Sequence, residues 1–233
     1  MNNKSTEIRR WIIRIAAVVI IFLVIISADI FVRFFLRHIN NHAGGQNTEQ
    51  ETDVPEVTIS GRDRVRDVET PEWIDKQLIE IDGESRRGRR LDELNDIVIH
   101  YVGNPGTTAQ QNRNYFSNPD SEVSSHFVVG LEGEIIQCVP LDEMSSASNW
   151  RNGDTISIEV CHPDTTGQFN DITYASLVKL TAWLLQTYGL DENHIIRHYD
   201  VTGKLCPLYY VEHEEAWVQF KADVKQYVLA GQE

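Results

Sequence analysis

Short apolar runs alternate with longer amphipathic stretches between residues 71 and 233, and this alternation predicts an α/β domain with a mixed central β-sheet flanked by helices. Ahead of it, an uncharged apolar segment predicts a single N-terminal transmembrane helix, and a polar stretch predicts a linker. The expected organisation is a cytoplasmic tip and anchor over residues 1–39, a flexible linker over 40–70, and a catalytic or binding domain over 71–233.

Residues 15–28 read IAAVVIIFLVIISA, and tolerating Arg14 and Asp29 at the edges extends the apolar segment to 11–30, about the thickness of a bilayer core at ~1.5 Å per residue. Lys4, Arg9, Arg10 and Arg14 precede it and only Arg33 and Arg37 follow, which orients the N-terminus to the cytoplasm. The expectation is a single-pass cell-membrane protein with an extracytoplasmic domain. The alternative is a cleaved signal peptide and a secreted protein, although Ile26 and the continuing IFVRFFL make Ser27-Ala28 a poor cleavage site. Residues 40–72 are polar, with no sustained period, and would span roughly 100 Å at about 3.3 Å per residue if fully extended.

Within the domain, Trp73, Ile74, Leu78 and Ile79 at helical spacing predict a short helix over 73–80, followed by the basic loop SRRGRRL. The run DIVIHYVG predicts a strand buried on both faces that ends at His100 before Gly103, Pro105 and Gly106. Strands are expected at 125–130, 134–140 and 155–161, the first two as a hairpin about the Glu132-Gly133 turn. A helix over 173–188 carries Leu177, Leu180, Leu184 and Tyr188 on one face, with Gly189 as its stop. Ile195 and Ile196 suggest a brief strand, and the loop around Thr202 and Gly203 would return Cys206 toward His198. A last helix over 212–228 aligns Trp217, Phe220, Val224 and Tyr227.

Charge narrows the partners. The chain carries 21 Lys+Arg against 35 Asp+Glu, a net −14; residues 1–40 contribute six basic and two acidic residues, so +4 there leaves −18 for the rest. So acidic a body repels phosphate polymers, which argues against nucleic-acid binding. There is no Gly-x-Ser-x-Gly elbow, P-loop or Gly-x-Gly-x-x-Gly run.

His100 at a strand end, His198 after a short strand, and Cys206 suit Zn²⁺, filling three tetrahedral positions and leaving one for water. The same residues also fit a plainer reading as core or surface histidines and a buried thiol, and spacing alone does not separate the two. His194 and His198 would lie about 13 Å apart along a strand, too far to share a metal. His213-Glu214 starts like a zincin motif, but Trp217 stands where the second His belongs.

The runs IVIHYVGNPG, SSHFVVGLEGEIIQCVP, SIEVCHPDTTGQF and RHYDVTGKLCP, in that order over residues 73–228, resemble the zinc-dependent N-acetylmuramoyl-L-alanine amidases of the second amidase family, which share a fold with peptidoglycan recognition proteins and bacteriophage amidase-type lysozymes. The resemblance implies zinc on His100, His198 and Cys206, Glu159 as general base and acid, and Lys204 as stabiliser of the developing oxyanion. It implies a peptidoglycan hydrolase that cuts the amide between the lactyl group of N-acetylmuramic acid and the L-alanine of the stem peptide, using zinc-bound water. The sequence departs from that pattern where some relatives have a catalytic Tyr, here Ser125, and where many have a loop His, here about Ser146. His126 and His162 fall in matching segments and are expected to be structural or substrate-side. With Cys206 on zinc, Cys138 and Cys161 are expected as buried thiols, a disulfide being the alternative. The competing functions are a non-catalytic peptidoglycan-binding module, a membrane protein whose histidines only pack, and a zinc amidohydrolase acting on another amide.

Overall fold

The computed structural model describes residues 59–231 apart from residue 82, and all of these lie in the second of two units into which the chain divides at residues 56 and 57. The expected anchor at 1–39 and the linker residues 40–58 lie outside the described residues. Among the described residues no helix is long and apolar enough to cross a membrane.

In chain order the elements are helix α1 (Gly61–Arg64), strands β1 (Asp75–Lys76) and β2 (Asp96–Tyr101), helix α2 (Ala109–Phe116), strands β3 (Phe127–Val129), β4 (Ile135–Gln137) and β5 (Thr155–Val160), helix α3 (Asp171–Tyr188), strand β6 (Ile195–Arg197), and helices α4 (His198–Thr202), α5 (Leu208–Glu212) and α6 (Glu214–Ala230). The described strands form one sheet in the order β1-β4-β3-β5-β2-β6. Only β3 and β4 pair antiparallel, as the expected hairpin, and every other neighbour is parallel. The sheet is therefore mixed, as the interleaving of strands and helices predicts.

Alternation along each strand sorts side chains between two apolar layers. Ile97, Ile99, Phe127, Ile156 and Ile158 face α3 and α6, where they meet Leu177, Leu180, Leu184, Tyr188, Trp217, Phe220 and Val224. Val128, Ile136, Cys138 and Cys161 share the opposite layer with Ala109 and Phe116 of α2. Truncating a fully buried residue of the larger layer, such as Leu184, costs about 2–5 kcal/mol. Asn170 caps α3 by accepting from the Thr173 N–H, and Gly189 ends it in the left-handed region at φ 62°.

Three local expectations change. The segment 73–80 is not a helix: β1 runs parallel to β4, and the Gln77 and Ile79 N–H groups donate to Gln137 O and Cys138 O. Eight residues are too few to sustain an isolated helix, and an open sheet edge satisfies the same backbone groups. The last helix is present as α6, shifted by two residues and preceded by the separate short helix α5, but Tyr227, expected on its buried stripe, is left exposed. Residues 59–70, expected as linker, lie against the domain: Val65 is buried in the larger layer, Arg64 Nε donates to Tyr188 O at 3.1 Å, and Arg66 donates to Thr187 O. Basic side chains thus meet the unpaired carbonyls at the C-terminus of α3, where the helix dipole favours them.

Candidate metal centre

Parallel register sets the first pair of site residues side by side. His100 on β2 stands opposite Glu159 on β5, on the sheet face away from Ile99 and Ile158, and His100 Nδ1 lies 3.9 Å from Glu159 Oε1. Beyond β6 the chain turns into α4, whose first residue is His198. Asp200 fixes that turn by accepting from the Arg197 backbone N–H at 2.8 Å, and Gly203 closes α4 at φ 78°. The loop then folds back so that the Tyr199 N–H donates to Cys206 O at 2.9 Å, which delivers the thiol to the end of β2.

One ligand atom each from His100, His198 and Cys206 gathers within 4.8 Å of the others, and all three residues are buried. Cys206 Sγ is 3.9 Å from His100 Nδ1, and the two imidazole rings are 4.7 Å apart. The outer nitrogens are occupied: His198 Nε2 meets Asn149 Oδ1 at 2.8 Å, and His100 Nε2 meets Ser148 Oγ at 3.3 Å. The inner ones differ, for His100 Nδ1 faces the Cys206 thiol. His198 Nδ1 is buried with no hydrogen-bond partner, and so is Glu159 Oε2.

Buried polar atoms are nearly always paired, so two orphans on residues that line one cleft mark a place for a further group. The donor set fits a thiophilic divalent cation, since two imidazoles and a thiol are zinc-type ligands and three of them leave a position open. Electrostatics agree. Burial holds the His100 imidazole well below its usual range, with His198 and Lys204 adding to the effect, and burial also lowers His198. Burial pushes Glu159 up to about 8 against the pull of Lys204, and pushes Cys206 up to about 12, with Glu159 raising it further. The protein alone therefore favours neutral imidazoles, a thiol and a protonated carboxyl, and a bound cation would pull the last two toward their anions.

These residues open into a cleft of about 470 Å³, walled on one side by Asn112, Tyr115 and Phe116 of α2 and on another by Ser146 and Ala147. Lys204 lines it, exposed, two residues before Cys206. The remaining expected residues fall elsewhere or play other parts. Ser125 is buried away from the cleft and donates to Ser157 O at 2.9 Å. His126 is fully buried, accepting from the Ser157 N–H at Nδ1 and donating from Nε2 to Glu143 O. His162 is buried against the Tyr101 ring at 5.0 Å and bonds Asp164 O through Nδ1. His194 sits apart, 3.3 Å from Asp96. Cys138 and Cys161 are free buried thiols. Sequence pattern does not single out Ser148 and Asn149; they belong to no motif, and only a turn-rich run, SASNWRNG, hints at their loop.

The family model described as N-acetylmuramoyl-L-alanine amidase matches residues 90–208. The chain is 32% identical over 162 residues to the N-acetylmuramoyl-L-alanine amidase BlyA of Bacillus subtilis (strain 168), covering 60% of this chain and 44% of that protein. It is 28% identical over 166 residues to the N-acetylmuramoyl-L-alanine amidase CwlL of Bacillus licheniformis, covering 64% of this chain and 46% of that one. The chain thus spans less than half the length of these curated relatives. Among solved structures it resembles a mutant endolysin from Bacillus subtilis, with TM-score 0.58, 27% identity and coverage of 65% of this chain and 97% of that one. It also resembles the catalytic domain of XlyA, with TM-score 0.57, 27% identity and coverage of 65% and 98%.

Proposed function

Because this chain belongs to the N-acetylmuramoyl-L-alanine amidase family, we propose that it hydrolyses the amide between the lactyl group of N-acetylmuramic acid and the L-alanine of the peptidoglycan stem peptide. The observation that carries the reading is the unpartnered His198 Nδ1, buried within a cluster whose other ligand atoms belong to His100 and Cys206, with Glu159 alongside. His100, His198 and Cys206 would hold Zn²⁺. Zinc, when bound, supplies Lewis acidity to water and to the scissile carbonyl at neutral pH.

The chain's own residues divide the remaining work. Glu159, with one oxygen near His100 and the other unpaired, takes a proton from the attacking water and returns it to the leaving amine. A carboxyl whose burial raises its pKa, and whose neighbouring ammonium lowers it, suits a group that must both accept and donate near neutrality. Lys204, in the cleft wall, offers an ammonium to the oxyanion that develops on the carbonyl. The surrounding cleft, with Tyr115 and Phe116 on one wall, excludes water from one side of the bound substrate.

Location belongs to the same proposal. The apolar segment 15–28 and the basic residues before it support a single-pass membrane anchor, with the domain outside the cytoplasm and joined by a polar linker that ends before residue 59. The test is to incubate the full chain with purified peptidoglycan and follow new L-alanine amino termini and new reducing sugar ends separately. New alanine termini without new reducing ends are expected. Binding without new termini, from protein that holds zinc, would replace the amidase with a recognition module.

A further inference from the structure

The loop that in this chain lacks a histidine, 145–152, does its own work at the cluster from the outside. Ser148 and Asn149 are consecutive, yet their side chains reach the outer nitrogens of two different imidazoles, His100 and His198. The backbone is bent to allow it: Asn149 has φ 54°, a left-handed conformation that costs most residues energy and that Asn tolerates better than nearly all others. The turn is pinned from the next residues. Asn152 Oδ1 accepts from the Ala147 and Ser148 N–H groups at 3.1 and 2.6 Å, and Arg151 bonds Asp96 and Asp154.

The consequence at His198 follows from donor and acceptor chemistry. A carbonyl oxygen only accepts, so with Asn149 Oδ1 at 2.8 Å the proton of the neutral imidazole sits on Nε2. The lone pair is then on Nδ1, the buried atom with no partner that faces the cluster. Without this bond the proton is free to occupy either nitrogen, and the ring to rotate. We propose that Asn149 is the positioning residue that fixes the tautomer and orientation of His198, while the Ser148 hydroxyl, which can donate or accept, steadies only the orientation of His100. It acts through His198 and does not touch substrate. The inference rests on the metal reading of the site given above.

The experiment separates the side-chain bond from the backbone bend. Asn149→Gly keeps the left-handed backbone without steric strain and removes the acceptor; Asn149→Asp keeps both. Zinc affinity of the full chain is measured by competition with a chelator, alongside the visible spectrum of the cobalt(II)-loaded form and the melting temperature. The expected result is a loss of about 10–100-fold in zinc affinity and an altered cobalt spectrum for Asn149→Gly, with Asn149→Asp within a few-fold of the parent. An Asn149→Gly chain that melts as the parent does, binds zinc equally well and shows the parental cobalt spectrum would overturn the proposal. A parent chain that takes up no zinc would instead overturn the metal reading, and this inference with it.

Discussion

His126 and His198 are both buried, yet their surroundings differ in the one respect that matters for chemistry. His126, in the serine-lined interior between β3 and β5, has both ring nitrogens satisfied, by the Ser157 N–H and by Glu143 O. His198, at the end of β6, has its outer nitrogen satisfied and its inner one left bare beside a thiol and a second imidazole. The first arrangement uses an imidazole as a bracket between two backbone segments. The second keeps a lone pair unmet, an uncommon state for a buried polar atom and one that a bound cation would relieve. Neither burial nor one bare nitrogen singles out a histidine, since His162 Nε2 is also buried without a partner; what sets His198 apart is a bare nitrogen gathered with two further ligand atoms.

The largest effects should come from breaking the unmet side. Replacing His198 or Cys206 by Ala should abolish retained zinc and hydrolysis together, exceeding the ~100-fold effect typical of outer partners, as checked by metal analysis and by release of alanine termini. Glu159→Gln should retain zinc and lower hydrolysis by about 10²–10⁴-fold, because it removes proton transfer and leaves the ligands in place. If that variant were fully active, the role given to Glu159 would fall while the metal site stood.

Breaking the satisfied side should do the reverse. His126→Ala leaves the Ser157 N–H and Glu143 O without their buried partner, so denaturant unfolding should show a loss of about 2–4 kcal/mol, with zinc still bound by the folded fraction. The same histidine predicts a pH dependence. Burial lowers its pKa from 6.5 to about 4, so the stability it contributes is present above pH 6.5 and is lost as the pH falls toward 4, where the unfolded chain gains a proton that the folded one refuses. In His126→Ala the acid branch of the stability curve should flatten over that window.

The smallest effect tests the domain's edge. A chain beginning at residue 71 loses Val65 from the core and the arginine bonds to the end of α3, which should cost about 2–3 kcal/mol relative to one beginning at residue 59, with zinc binding unchanged.

What was legible in the sequence divides along similar lines. Strands β2, β3, β4 and β5 and helix α3 announce themselves because apolar runs and periodicity are local signals. Segments 59–70 and 73–80 were misread because what holds them is remote: Arg64 bonds Tyr188, 124 positions away, and the residues around β1 borrow their backbone partners from β4. At the site, His100, His198, Cys206 and Glu159 could be picked out through a family resemblance, while spacing alone left them ambiguous. Ser148 and Asn149 escaped because their part depends on a left-handed backbone and on partners 48 and 49 positions away, neither of which a one-dimensional pattern records.

The most direct measurement is a cobalt(II) titration of the metal-free chain, followed by thiolate-to-cobalt charge-transfer absorption and by the visible bands of the bound ion. The account predicts saturation at one equivalent with tetrahedral-type bands, and loss of the charge-transfer absorption in Cys206→Ser. Absence of any binding, or a charge-transfer band unchanged by Cys206→Ser, would contradict it.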